Sequence, residues 1–149
     1  MKKILYLECK TGAAGDMLMG ALYSLLTEEQ KVLFLEKLNA ISEEVCVIPQ
    51  EICKQGIGGI HMKVEINGTE EGVEAHHHHE HNHHSHTSVA AILEQISKLD
   101  MSDAVKRDAE GIYRNIAAAE SKVHQTDMEQ IHFHEVGSVD ALIDVVGSC

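Results

Sequence analysis

His61-Met62-Lys63-Val64-Glu65-Ile66-Asn67-Gly68 decides how the middle of this chain is read. Met62, Val64 and Ile66 alternate with His61, Lys63 and Glu65. That period of two predicts a strand with one face in a core and the other in water. Asn67-Gly68 ends the run, because both residue types suit a tight turn. Upstream, Gly56-Ile57-Gly58-Gly59 reads as a turn cluster. Before it, Val45, Val47 and Ile52 form another extended segment, which Pro49 bends and confines to a sheet edge. Residues 44–53 and 60–67 are therefore expected to pair antiparallel.

Helical spacing flanks this pair on both sides. Ile4-Leu5-Tyr6-Leu7 reads as a short buried strand, and Gly12-Ala13-Ala14-Gly15 as the loop after it. Asp16 stands where an N-cap would stand, ahead of Met17, Leu18, Ala21, Leu22, Leu25 and Leu26. Thr27 and Gln30 have capping-box spacing and open a second helix that runs to about Leu38. Beyond the central pair, Thr87 or Ser88 caps a helix with Val89, Ile92, Leu93 and Ile96 on one face. Ser102 caps a longer one, with Val105, Ala109, Ile112, Ile116 and Val123 in period. Ile131 to Val136 alternates as a short strand, and Ser138 caps a last helix. The predicted class is α+β: a small mixed sheet, packed helices and a His-rich loop disordered without metal. No internal repeat is present. The apolar pattern is still running at Cys149, which predicts that residues 1–149 form one amino-terminal domain of a larger parent, with a mobile insert over 69–87.

Composition narrows the function. The 149 residues are 44% apolar but only 3% aromatic, with no Trp, so the core must be aliphatic. The formal charge of −12 repels nucleic-acid backbones and anionic membranes. Cys9, Cys46, Cys53 and Cys149 form no paired motif, which suits a reducing cytoplasm. The apolar run after Lys2-Lys3 is too short for a signal peptide, and no stretch is long enough for a membrane span. Histidine is the outlier, at 12 residues. Protonating all twelve would cancel the −12, and free imidazole titrates near pH ~6.5. Metal-free protein should therefore lose solubility as the pH falls from about 7 to about 5. Light scattering that stays flat across that range would contradict this.

Eight of those imidazoles lie within eleven residues: His76, His77, His78, His79, His81, His83, His84 and His86. Neutral imidazole is a good ligand for Ni, Cu and Zn. A pliable segment without a fixed outer shell suits collecting several ions rather than running a reaction. The bland alternative is a solvated spacer.

His132-Phe133-His134-Glu135 is the second candidate. On a strand, His132 and His134 would share a face while Phe133 enters the core. Asp140 and Asp144 would share a face of the next helix, and His124 ends the preceding one. Together these can make a metal site with an open position; alternatively the imidazoles only bond backbone at a strand end. The third candidate is Glu8-Cys9 with Gly12-Ala13-Ala14-Gly15-Asp16. A glycine loop opening a helix can hold a phosphate or carboxylate on its N–H groups, with Gly12 and Gly15 lining it. It lacks the P-loop lysine, and a plain tight turn explains it as well. Asp16 suits either a cap or a metal ligand.

Taken together, Ile4-Leu5-Tyr6-Leu7-Glu8-Cys9, Gly12-Ala13-Ala14-Gly15-Asp16-Met17, the His-rich stretch, Ala118-Ala119-Glu120-Ser121-Lys122-Val123-His124 and His132-Phe133-His134-Glu135-Val136-Gly137-Ser138-Val139-Asp140 resemble the LarC family of nickel-insertion proteins. The resemblance runs in order over essentially the whole chain. It departs at Glu8, where the family carries Asp, and at Ala14, where it carries Ser. It implies insertion of nickel into pyridinium-3,5-bisthiocarboxylic acid mononucleotide by a cyclometallase of the lyase class, forming two Ni–S bonds and one Ni–C bond. It also implies CTP with Mg²⁺ or Mn²⁺, bound by a carboxy-terminal region outside this chain, so that this piece alone would be inactive. On that basis Asp16, His132, His134 and Glu135 are candidate catalytic residues. His132, His134 and Glu8 join the eight clustered histidines as candidate metal ligands. A nickel store or metallochaperone, and a metal-dependent hydrolase using His132, His134 and Asp140, are the other readings. The oligomeric state stays open, a homo-oligomer included.

Overall fold

A computed structural model describes residues 4–10, 12–70, 87–133 and 135–149. The expected disorder of the His-rich segment, and the ligand roles of His76 through His86 and of His134, lie outside these residues. The class is α+β. Helices α1 (Gly15–Tyr23) and α2 (Glu28–Asn39) precede strands β1 (Val45–Lys54), β2 (Ile57–Ile66) and β3 (Thr69–Glu70). Then come β4 (Thr87–Ser88), α3 (Val89–Lys98), α4 (Asp103–His124), β5 (His132–Phe133) and α5 (Val139–Ser148). Pairing is antiparallel in both sheets, β1-β2-β3 and β4-β5, rather than mixed.

The central hairpin forms as its alternation requires. Val45, Val47, Met62 and Val64 are buried, with Val47 opposite Val64 and Pro49 opposite Met62. Pro49 does not break β1, because β1 is the edge strand and its missing N–H costs no ladder bond there. The turn is tighter than the glycine cluster suggests. Only Gln55 and Gly56 form it, with φ of 53° and 82°, while Ile57, Gly58 and Gly59 belong to β2. Positive φ at both central residues is the type I′ signature, whose twist matches that of the strands. Asn67-Gly68 repeats it, with φ of 53° and 76°, and turns β2 into β3.

The helix caps follow the sequence closely. Thr27 and Gln30 form both bonds of the capping box: Gln30 N donates to Thr27 Oγ1, and Thr27 N donates to Gln30 Oε1. Ser88, Ser102 and Ser138 accept from Ala91, Val105 and Ala141 and so start α3, α4 and α5. The α1 start differs. The helix begins at Gly15 with Ala14 as an N-cap that offers no side-chain bond, and Asp16 sits inside the first turn.

Helix α1 packs on β2 and α5, α2 packs on β1, and α5 also meets α2 and α4. The core these contacts enclose is aliphatic apart from Tyr23, Tyr113 and Phe133. Three expectations differ from the structure. The buried stripe of α4 is Ala109, Tyr113 and Ala117, whereas Ile112 is 37% exposed and Val123 74%. Tyr113 claims the inner position because its ring meets Phe133 at 5.8 Å and its hydroxyl donates to Val136 O at 3.2 Å. Apolar periodicity undervalues a residue that is greasy along its length and polar at its tip. The first strand is also absent: residues 4–9 have no regular structure, and Ile4 through Leu7 are exposed. The alternation expected from Ile131 to Val136 shortens to the two residues of β5, followed by a 3-10 turn over Glu135–Gly137. Among the described residues no helix is long and apolar enough to cross a membrane.

Candidate functional site

The amino end of α1 is where the chemistry collects. Two glycines allow it. At Gly20 a Cβ would collide with the Ile60 carbonyl oxygen, so α1 lies directly against the backbone of β2. At Gly15 a Cβ would collide with the Asp144 side chain, so the start of α1 lies against α5. Any side chain at either position would force these elements apart.

This packing brings His61 of β2 to the first turn of α1, where its Nε2 stands 3.5 Å from Asp16 Oδ2. From the other side α5 supplies Asp140 and Asp144, the pair four residues apart. Asp144 takes a hydrogen bond from the Asp16 backbone N–H, so an α5 carboxylate does the work that Ala14 cannot. Its Oδ1 is buried without a hydrogen-bond partner among the described residues. Burial, then the charges of Asp140 and Asp16, push the Asp144 carboxyl up to about 7 against the lowering effect of that N–H. Burial and Asp16 also raise Asp140. Three carboxylates and one imidazole thus share one corner, with more negative charge than the surroundings solvate well.

A concentration of charge of this kind favours a cation. Two atoms each ~2.0–2.1 Å from one tetrahedral ion stand about 3.3 Å apart, so the Asp16–His61 spacing is near what a shared metal requires. The carboxylates do not complete a centre by themselves: among the described residues no three His, Cys, Asp or Glu side chains converge on a metal position. The site offers a two-ligand start with open positions.

The other candidates fall elsewhere. His132 is exposed on β5, opposite Ser88. His124, a possible ligand by sequence, pairs instead with Glu120 at 3.2 Å along α4. Glu8 accepts from Tyr6 Oη at 3.1 Å and lies 3.8 Å from Lys10. Gly12 takes φ of 100° and donates its N–H to Cys9 O, which makes the loop a turn. The positive end of α1 that could have held a substrate anion faces Asp144. Asp140 and Asp144, expected beside His132 and His134, lie instead with Asp16 and with His61, which in the sequence shows only as the wet face of a strand.

Residues 5–149 match the family of nickel insertion proteins. The chain belongs to that family. Its relatives include the pyridinium-3,5-bisthiocarboxylic acid mononucleotide nickel insertion proteins of Clostridium kluyveri and Lactiplantibacillus plantarum. The first is 40% identical over 147 residues, covering 98% of this chain and 36% of the relative. The second is 39% identical over 152 residues, covering 97% and 36%. The protein of the same name from Staphylococcus epidermidis is 34% identical over 150 residues, covering 100% and 34%. The chain therefore spans about a third of the length of the curated relatives it matches. No solved structure matches it.

Proposed function

We propose that this chain is the amino-terminal domain of a longer protein that inserts nickel into pyridinium-3,5-bisthiocarboxylic acid mononucleotide. The observation that carries this reading is the family match over residues 5–149, and the metal-like spacing of Asp16 and His61 supports it. Nickel here is cargo. It must be held firmly enough to be collected and loosely enough to pass to sulfur. Imidazole and carboxylate are harder and more exchangeable ligands than thiolate, so transfer to the thiocarboxylates runs downhill.

In this scheme His76 through His86 gather Ni²⁺ and a second set of residues presents it. Asp16 and His61 begin that set; His132, His134 and Glu135 are proposed as separate ligands that the ion visits on its way to the substrate. Gly12 and Gly15 shape the turn that leads into the α1 corner, and Gly15 lets the Asp144 carboxylate, rather than a substrate anion, take the helix end. CTP with Mg²⁺ or Mn²⁺ would act through the part of the protein outside this chain, in the cytoplasm. Forming the Ni–C bond displaces a ring proton, and a carboxylate held near neutrality, as Asp144 is, suits a proton acceptor.

Two deletions of ligand test the scheme in parts. Removing residues 76–86 should lower the number of Ni²⁺ ions bound per chain in equilibrium dialysis while the circular dichroism spectrum is unchanged; an unaltered stoichiometry would remove the gathering role. Replacing His132 and His134 together by Ala in the full-length protein should abolish product formation with Ni²⁺, CTP and substrate. Normal product would exclude them from presentation. A chain that binds nickel while the full-length protein makes no product would be a store or metallochaperone instead.

A further inference from the structure

Residues 4–7 are the least satisfied part of the described fold. Ile4, Leu5, Tyr6 and Leu7 are 90, 56, 78 and 49% exposed, four consecutive apolar side chains in water. Isoleucine and tyrosine favour strands, and the segment sits outside both sheets. An apolar, strand-prone run left unpaired is a template for another strand.

We infer that residues 4–7 are a docking strand, and that in full-length family members a strand from the remaining two thirds of the polypeptide pairs with it. Two observations select this occupant. The relatives carry about twice as much chain again beyond the part matched here, so a covalently attached partner is available. The patch is also too small for the main competitor, a second copy of this chain. Four side chains present on the order of a few hundred Å², against the ~800 Å² per partner typical of a stable complex. A tethered strand needs no such area, because its effective concentration reaches the millimolar range. The docked strand would lie a few residues from Gly12 and Asp16, and would so connect the rest of the protein to the α1 corner. This inference rests on family membership and on exposure, not on the nickel reading, so either can fail alone.

Amide hydrogen exchange tests it. The rates of residues 4–7 are measured in this chain at several concentrations, and those of the aligned stretch in the full-length Staphylococcus epidermidis relative, which aligns with 100% of this chain. The expected result is fast, concentration-independent exchange here and exchange about 100-fold or more slower in the relative. Fast exchange in both would overturn the inference. Protection in this chain that grows with concentration would assign the strand to a second copy. Protection at every concentration would mean that it packs on its own domain. Either of these outcomes also overturns the inference.

Discussion

Changing Asp16 to Asn and His61 to Ala in the full-length protein should lower nickel insertion by about 100-fold or more and leave the fold intact. The two side chains meet at 3.5 Å from different elements, and neither supports the core: both are about one-third exposed. Their removal therefore costs little packing. What is lost is the pair of donor atoms at near-ligand spacing. The single variants should each weaken Ni²⁺ binding, and the double variant should add little beyond the stronger single, because one absent ligand already opens the chelate. Product formation assayed beside thermal unfolding checks this. Full insertion by a well-folded double variant would remove the α1 corner from the mechanism.

The second large effect concerns stability. Asp144→Asn should stabilise the folded chain by about 1–2 kcal/mol at pH 8, after allowance for solvent screening of a partly exposed group. The direction follows from linkage. An unfolded Asp titrates near ~3.9, whereas the folded Asp144 is held up to about 7. The folded state therefore binds the extra proton between those values, and stability falls as the pH rises through that window. The penalty is complete above pH ~7 and absent below pH ~4, so the gain from Asn should shrink steadily as the pH is lowered from 8 to 4. Asn keeps an oxygen to accept the Asp16 N–H and removes the charge that Asp140 and Asp16 oppose. Urea unfolding of both proteins at pH 8, 6 and 4 gives the comparison; a constant difference across the series would show that charge is not the cause. The same substitution should weaken Ni²⁺ binding, since a corner arranged for a cation is destabilising when nothing offsets its charge.

Most of the fold was legible because its signals are local. Alternation at 61–66, the Asn67-Gly68 turn, the Thr27–Gln30 box and the three serine caps depend only on neighbours in sequence, and each appears as expected. The misreadings arose where tertiary contacts decide. Tyr113 displaces Ile112 from the core because Phe133 and Val136 are there to receive it. Residues 4–7 look like a buried strand, yet no strand of this chain pairs with them among the described residues. The site was half visible. Asp140 and Asp144 share a helix face by spacing alone, but their meeting with Asp16 and His61 depends on two close approaches, Gly15 against Asp144, 129 residues further on, and Gly20 against Ile60, 40 residues further on. No local pattern encodes those encounters.

The deciding question is whether nickel goes to the α1 corner. Anomalous diffraction at the nickel absorption edge, from crystals of this chain soaked in Ni²⁺ at neutral pH, answers that directly. A peak within bonding distance of both Asp16 and His61 is the predicted result. Well-ordered Asp16 and His61 side chains with nickel bound only elsewhere, or not at all, would contradict it.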